Sequence, residues 1–351
     1  MREQIQAGLV GYGFAARTFH APVIRTVPGL ALRKVVQRSG SSCEQDDPGV
    51  QAVKDLTALL ADEEIRLVIV TTPSTNHYEI ARQALLAGKH VVVEKPFTAT
   101  TAEADELIEL ARRQEKVLSV FHNRRWDGDF LTLQEIVAQQ KVGRMTEAEL
   151  RWDRFSPQAN PERWRDAGEE GSGTFYDLGV HLIDQALTLF GLPLTVQAEL
   201  RTEREHTRAF DYFDVSLGYE DNFKVSLKSS LVALEPASRY RLYGAEGAFV
   251  KYGEDPQENQ LRSGLLPGQP GWGEEPEEQW GILHTRSGGL DLRSRVRTLP
   301  GSYASFYQNV YDAITGAAEL AVQPEQARMA IRVIELGLLS HREQRRVAFT
   351  P

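Results

Sequence analysis

An apolar run, Ile5–Val10, leads straight into Gly11-Tyr12-Gly13-Phe14-Ala15-Ala16, and few folds accept that junction. The glycines permit a tight turn and let a pyrophosphate approach the backbone N–H groups that open the following helix. Phe14 and Ala15 fall at that helix start, and Ala16 is the small residue that lets helix and strand pack closely. A purely structural glycine turn is the plainer alternative. The strand before the motif, the helix after it and its place in the chain favour a dinucleotide seat.

Further apolar runs follow at Leu30–Val36, 67–70, His90–Val93 and 117–121, separated by helical periodicity as at 78–87 and 102–111. Continuous apolar strands alternating with helices predict a parallel sheet covered on both faces, a doubly wound Rossmann domain over residues 1–122. Beyond residue 145 the character changes. Residues 146–155, 196–204, 210–219 and 223–231 read as longer strands. The last alternates Phe223, Val225 and Leu227 with Lys224, Ser226 and Lys228, which suits an antiparallel sheet with one wet face. Glu220-Asp221-Asn222 reads as a hairpin turn. A strong helix spans 174–190 and stops at Gly191 and Pro193; two more close the chain at 302–315 and 324–341. Residues 253–276, with Pro256, Pro267, Pro270 and Pro276, predict a long ordered loop or a mobile flap. The expected second domain, residues 123–351, is therefore α/β with a large, open, mostly antiparallel sheet, and its final helices are free to pack back on the first.

Four stretches carry chemistry. Strand two ends Val35-Val36-Gln37-Arg38-Ser39-Gly40, where an NAD site usually places an acid for the ribose hydroxyls; the first acid here is Glu44. Arg38 and Ser39 offer a guanidinium and a hydroxyl to a 2′-phosphate instead, which favours NADP and leaves NAD open. Arg38 as a solvated surface charge is the bland reading. Thr71-Thr72-Pro73-Ser74-Thr75-Asn76-His77 follows the third apolar run of the parallel set, and Glu94-Lys95-Pro96 the fourth. Both lie at carboxyl ends of parallel strands, where open α/β sheets bind ligands. Taken alone, Lys95 reads as a surface lysine; beside a nucleotide fingerprint it reads as an active-site one. Finally, Gly171-Ser172-Gly173-Thr174-Phe175-Tyr176-Asp177-Leu178-Gly179-Val180-His181 sets Asp177 and His181 one turn apart on a predicted helix. A carboxylate there can fix an imidazole's tautomer and raise its basicity, as proton exchange with an alcohol requires. A plain helical ion pair or half a metal site would look the same, but no further ligand cluster accompanies the pair and no metal is expected.

Composition narrows the rest. A formal net charge of −9 argues against nucleic-acid or anionic-membrane partners, and 41% hydrophobic with 25% charged residues is ordinary for a globular chain. The single cysteine, Cys43, excludes an intramolecular disulfide and a Cys-rich metal cluster. No run approaches a membrane span and the start is too short for a signal peptide, so cytoplasm is the expected compartment.

In this order and spacing, the glycine motif, Glu94-Lys95-Pro96 and the stretch from Gly173 through Asp177 and Gly179 to His181 resemble the glucose–fructose oxidoreductase / inositol dehydrogenase / MocA (Gfo/Idh/MocA) family over nearly the whole chain. Residues 120–131, 173–185 and 251–258 resemble the branch that contains NADP-dependent scyllo-inositol 2-dehydrogenases. The resemblance implies that Lys95, Asp177 and His181 are catalytic, that the peptide before Pro96 is cis, and that Thr72, Pro73, His77 and Glu94 lie along the cofactor. It implies hydride transfer between a secondary alcohol of a polyol or cyclitol, or its ketone, and NADP(H), in a homodimer or higher homo-oligomer built on the second domain's sheet. Asn123, Arg125, Asp153, Arg165 and Tyr176 are candidate hydrogen-bond partners for such a substrate, with Trp126 and Trp164 as candidate apolar walls. Open alternatives are reduction of another sugar or keto-sugar, cofactor-retaining redox cleavage of a glycoside, and a non-catalytic NADP-binding regulator.

Overall fold

The parallel strands need no alternation, because both of their faces are covered. In the computed structural model, which describes every residue except Met1, Arg2, Arg163, Trp164 and Glu170, they are β1 (Ile5–Val10), β2 (Leu30–Val36), β3 (Gln51–Val53), β4 (Ile65–Val70), β5 (His90–Val93) and β6 (Leu118–Val120). Leu67–Val70 and Val91–Val93 are wholly buried, as continuous apolar runs between two helical layers must be. The order β3-β2-β1-β4-β5-β6 reverses direction of travel between β1 and β4. Register aligns Val10 with Val36 and Val70, Val70 with Val93, and Val93 with Val120. Five strands thus end in one row, and the loops they feed all leave the same edge of the sheet. That edge, at a reversal of strand order, is where doubly wound folds bind ligands.

These strands belong to the first of two compact units, which comprises Met1–Trp126, Gln257–Gly273 and Ser302–Arg328; the second comprises Asp127–Pro256, Glu274–Gly301 and Met329–Pro351. The returning segment Gln257–Gly273 falls within the Pro- and Gly-rich stretch. It contains a short helix, Gln257–Arg262, and Gln260 bonds both Gly271 O (2.9 Å) and Gly273 N (2.8 Å), closing it into an ordered loop. The helix Thr101–Arg113 starts at a reciprocal cap in which Thr100 and Glu103 each satisfy the other's backbone N–H.

The second unit is built on β7 (Met145–Arg151), β8 (Thr195–Arg201), β9 (Tyr212–Gly218), β10 (Lys224–Ser230), β11 (Tyr240–Gly244), β12 (Gly247–Lys251), β13 (Gly281–Ser287), β14 (Leu290–Val296) and β15 (Val347–Ala348). They form one nine-stranded sheet in the order β14-β13-β12-β11-β7-β10-β9-β8-β15, antiparallel except where β10 runs parallel to β7. One face receives the helix Val180–Phe190 over β7 and β10. The other is wet and cross-paired, with Lys224 3.1 Å from Glu147 and Lys228 2.9 Å from Asp214. β7 is shorter than the expected 146–155, because Asp153 pulls its own loop away: its carboxylate accepts from Ser230 N (3.0 Å) and Arg151 Nε (2.5 Å). The turn between β9 and β10 is a single 3₁₀ turn with Asp221 and Asn222 in the left-handed region (φ 53° and 59°), a conformation Asn and Asp tolerate. No helix among the described residues is long and apolar enough to cross a membrane.

Candidate active site

At the end of β1 the backbone must swing over β4. Gly11 adopts φ +95°, and a Cβ there would stand 3.3 Å from Thr71 O, so the position demands glycine. Thr71 Oγ1 locks the turn by donating towards Val10 O (3.0 Å) and Gly11 O (2.9 Å). Gly13 faces open space, and Ala16 is fully buried against the sheet. The residues that follow, Ala16–His20, form a π turn, a widening that is frequent at functional sites. Thr72, next in the chain to the Thr71 that locks the glycine turn, has its Oγ1 buried without a hydrogen-bond partner among the described residues. An open cradle of backbone N–H groups, with an unsatisfied hydroxyl next in the chain to Thr71, fits a dinucleotide.

The loop after β2 is held by Gln37, whose amide bonds Ser39 O (2.9 Å), Ser42 Oγ (3.1 Å) and Cys43 N (3.2 Å). Arg38 and Ser39 project from it, exposed. Lys54, just past β3, reaches the same loop at Gly40 O (3.4 Å) and places a second cation there that the sequence reading missed. The acids nearby are engaged elsewhere. Glu44 accepts from Ala52 N (2.9 Å), Asp46 from Tyr12 Oη (3.0 Å) and Arg17 Nε (3.1 Å), and Asp47 pairs with Arg25 (2.8 Å). Burial, reinforced by the bond to Asp46, pushes the Tyr12 phenol up to about 12 and keeps it a donor.

His77 is buried, with Nδ1 2.8 Å from Pro96 O and Nε2 3.0 Å from Thr72 O. It therefore ties the β4 and β5 loops together. Burial pulls its pKa below the usual imidazole range against the pull of the two carbonyls. Glu94 and Lys95 follow, and the Lys95–Pro96 peptide is cis. Glu94 is buried and bonded at both oxygens: Oε2 accepts from Lys95 N (2.9 Å) and Oε1 lies 2.8 Å from His20 Nε2. His20 in turn bonds Tyr307 Oη through Nδ1. Burial alone would raise the Glu94 carboxyl, yet the His20 bond and neighbouring positive charge hold it below its ordinary range. Burial and the Glu94 charge keep the Tyr307 phenol protonated, well above its own. Neither His20 nor Tyr307 was foreseen; His20 is the last residue of the π turn after the glycine motif, and Tyr307 lies in the helix Tyr303–Ile314.

In the second unit, Gly173 (φ +90°) turns the chain where a Cβ would meet Phe210 O at 2.9 Å. A second π turn, Phe175–Gly179, opens the helix Val180–Phe190. Gly179 is required because a Cβ there would come within 2.7 Å of the Phe175 ring, which packs on Phe213. Asp177 sits in the widened turn and His181 in the regular helix, so they are not a simple α-helical pair. The Asp177 carboxylate is 2.9 Å from Arg165 Nε. His181 is 5% exposed, its ring 5.6 Å from Trp152, and the buried Arg239 guanidinium covers that indole at 4.2 Å.

The remaining candidates divide. Tyr176 is buried in the same turn as Asp177, and Asn123 is buried in a 3₁₀ turn just past β6. Arg125 donates to Ala321 O (2.8 Å) and Gln326 Oε1 (2.9 Å), which gives its guanidinium a place in the framework. Asp153, buried, accepts from Ser230 N and Arg151 Nε as described above. Trp126 packs edge-on against Phe306 at 5.7 Å, and Trp164 lies outside the described residues. No group of three His, Cys, Asp or Glu side chains among the described residues is placed to hold a metal ion.

A glycine turn at the reversal of a 3-2-1-4-5-6 sheet, with a lysine at a neighbouring strand end, defines an enzyme of the nicotinamide-dinucleotide-dependent oxidoreductase class. Residues 5–122 match the NAD-binding Rossmann fold of an oxidoreductase family, and residues 134–349 match that family's C-terminal alpha/beta domain; the chain belongs to the Gfo/Idh/MocA family. It is 41% identical over 340 residues to the uncharacterized oxidoreductase YdgJ of Escherichia coli, covering 97% of each chain. It is 36% identical over 347 residues to the scyllo-inositol 2-dehydrogenase (NADP(+)) IolW of Bacillus subtilis, covering 98% of this chain and 96% of that one. A solved structure of the Bacillus subtilis oxidoreductase yvaA superposes with a TM-score of 0.96 at 34% identity, over 100% of this chain and 99% of that one.

Proposed function

We propose that this chain is an NADP(H)-dependent dehydrogenase acting on CH–OH groups, whose substrate is a secondary alcohol of a polyol or cyclitol, or the corresponding ketone. The observation that carries the reading is the mounting of Lys95: its backbone is clamped by buried Glu94 on the same sheet edge as the glycine turn. The likeness to a relative named for NADP(+) and scyllo-inositol supports both the cofactor and the substrate class. Arg38, Ser39 and Lys54 would hold the 2′-phosphate, and the turn from Gly11 to Ala16 the pyrophosphate. When bound, NADP supplies the hydride acceptor, and NADPH the donor.

In this reading Lys95 polarises the substrate oxygen and His181 exchanges its proton. During oxidation His181 takes the hydroxyl proton as the carbinol hydrogen leaves as hydride, and the ketone oxygen remains beside the Lys95 ammonium. Reduction runs the same transfers backwards, with His181 returning the proton. Asp177, bridged to Arg165, orients the histidine, while Tyr176 and Asn123 remain as hydrogen-bond partners for the ring hydroxyls. The wet face of the nine-stranded sheet would join two or more copies. The lone buried thiol suits a reducing compartment such as the cytoplasm.

The test is absorbance at 340 nm with inositol isomers and keto-inositols, using NADPH and NADH in parallel. Lys95→Ala and His181→Ala should each lower turnover by about 100-fold or more while NADPH still binds. Near-normal turnover in either variant rejects the mechanism. Activity confined to another keto-sugar would keep the mechanism and correct the substrate.

A further inference from the structure

The segment Gln257–Gly273 lies far along the chain from the Rossmann strands, yet it folds into their unit. Its attachment is firm. Gln257 bonds Trp126 O (2.9 Å) and Tyr303 N (2.8 Å), Glu258 pairs with the buried Arg124, and Leu261 is buried. Arg124 also lies 5.9 Å over the ring of Phe19, which meets Phe14 edge-on at 5.9 Å. Phe14 is the side chain that rises from the glycine turn itself, and it is 58% exposed. An aromatic ring left uncovered at a ligand-binding turn is explained when something packs on it.

Arg262, the last residue of the short helix in this segment, holds its guanidinium 6.0 Å from the Phe14 ring centroid. It is exposed and has no ion-pair partner among the described residues. Three surface arginines of the same unit, Arg17, Arg25 and Arg33, are paired with acids, so an unpaired one beside the glycine turn stands out. We infer that Gln257–Gly273 is a strap that completes the cofactor seat, and that Arg262 donates to the pyrophosphate of the dinucleotide. The planar fork of guanidinium donors suits adjacent phosphate oxygens, and the Phe14 face holds it in place. A residue from beyond the family's Rossmann segment would thus set cofactor affinity. The inference rests on the dinucleotide being seated at the glycine turn.

The experiment is fluorescence titration of the full chain with NADPH, NADH, 2′-phospho-ADP-ribose and 2′-AMP. Arg262→Ala should weaken NADPH, NADH and 2′-phospho-ADP-ribose by about 10-fold to 100-fold, the span of one lost charge-assisted hydrogen bond. It should leave 2′-AMP, which has no pyrophosphate, unchanged. Arg262→Lys should fall between, keeping the charge and losing the fork. Raising KCl from about 0.05 to about 0.5 M should weaken wild-type binding more steeply than that of the alanine variant. The melting temperature should not move, because the side chain is exposed. NADPH affinity within twofold of wild type overturns the inference, and equal losses on 2′-AMP and NADPH move Arg262 to the other phosphate and overturn it as well. If the wild-type chain binds neither dinucleotide, the seat itself is wrong and the strap falls with it.

Discussion

Replacing Glu94 by Gln should destabilise the first unit, and adding Tyr307→Phe to that variant should cost little more. Glu94 accepts at both oxygens, so the arrangement that satisfies every buried group has Tyr307 Oη donating to His20 Nδ1 and His20 Nε2 donating to Glu94. A glutamine in place of Glu94 has one acceptor and one donor end. With its oxygen on Lys95 N, its NH₂ faces His20 Nε2, the imidazole must take the other tautomer, and its Nδ1–H then points at Tyr307. The Tyr307 hydroxyl hydrogen is left without an acceptor. One buried unsatisfied group costs about 1–3 kcal/mol, and loss of the charged acceptor adds to it. Tyr307→Phe alone also leaves one group unsatisfied, His20 Nδ1. The double variant again leaves only one, the Nδ1–H. The two costs should therefore fall short of additivity by about 1–3 kcal/mol, since the charge term appears in both Gln variants and drops out of the cycle. Urea unfolding of the four proteins, followed by far-UV circular dichroism, measures it. Additivity to within about 0.5 kcal/mol would show that the three groups do not form one hydrogen-bonded chain.

His90 gives a pH-dependent counterpart. Burial, with the Lys116 and Arg66 charges, lowers its pKa to about 4, and its Nδ1 accepts from Val117 N (2.9 Å). The unfolded chain, with a histidine near 6.5, binds more protons than the fold between those values, so stability is full above about 6.5 and is lost as pH falls through about 4. The drop in melting temperature between pH 7 and pH 5 should shrink in His90→Asn, which keeps an acceptor near Nδ1; an unchanged drop assigns the acid sensitivity elsewhere. At the cofactor end, Arg38→Ala and Lys54→Ala should each raise the Kd for NADPH by about 10-fold and leave NADH alone. Equal effects on both dinucleotides in the same titration would remove the 2′-phosphate from these two side chains.

The strands that could be read from the sequence are those with a buried apolar stretch at their carboxyl ends. β1 and β5 lie where their apolar runs do, with residues 7–10 and 91–93 buried, and β2 lies where it was expected although Arg33 and Lys34 interrupt its apolar run and pair with Asp62. β3 is three residues long with Gln51 exposed, too short for any periodicity to register. β14 carries Leu290 and Leu292 in the open, and ladder bonds to β13 rather than an apolar face hold it in the sheet. The site divides by the same logic. Gly11, Lys95, Asp177 and His181 announce themselves because their motifs are local. His20, Glu94 and Tyr307 meet only after the chain has folded, and no spacing rule joins residues 20, 94 and 307. The i, i+4 reading of Asp177 and His181 assumed a regular helix, whereas the structure widens the turn at Phe175–Gly179, where Asp177 also meets Arg165.

The ties among the loops explain how one sheet edge can hold a fixed catalytic group and an adjustable cofactor site together. Three of the loops leaving that edge are cross-linked by buried side chains: Thr71 to the glycine turn, His77 from the β4 loop to Pro96, and Glu94 to His20 in the π turn after the glycine motif. Lys95 therefore stands on a loop secured from two directions, as precise placement of a reacting group requires. The loop after β2 is tied mainly to itself through Gln37 and carries Arg38 and Ser39 in the open. A change at those two positions disturbs no buried partner. Phosphate recognition can thus be altered there by substitution while the mounting of Lys95 stays as it is, and the choice of dinucleotide and the chemistry at the nicotinamide end are physically separable in this fold.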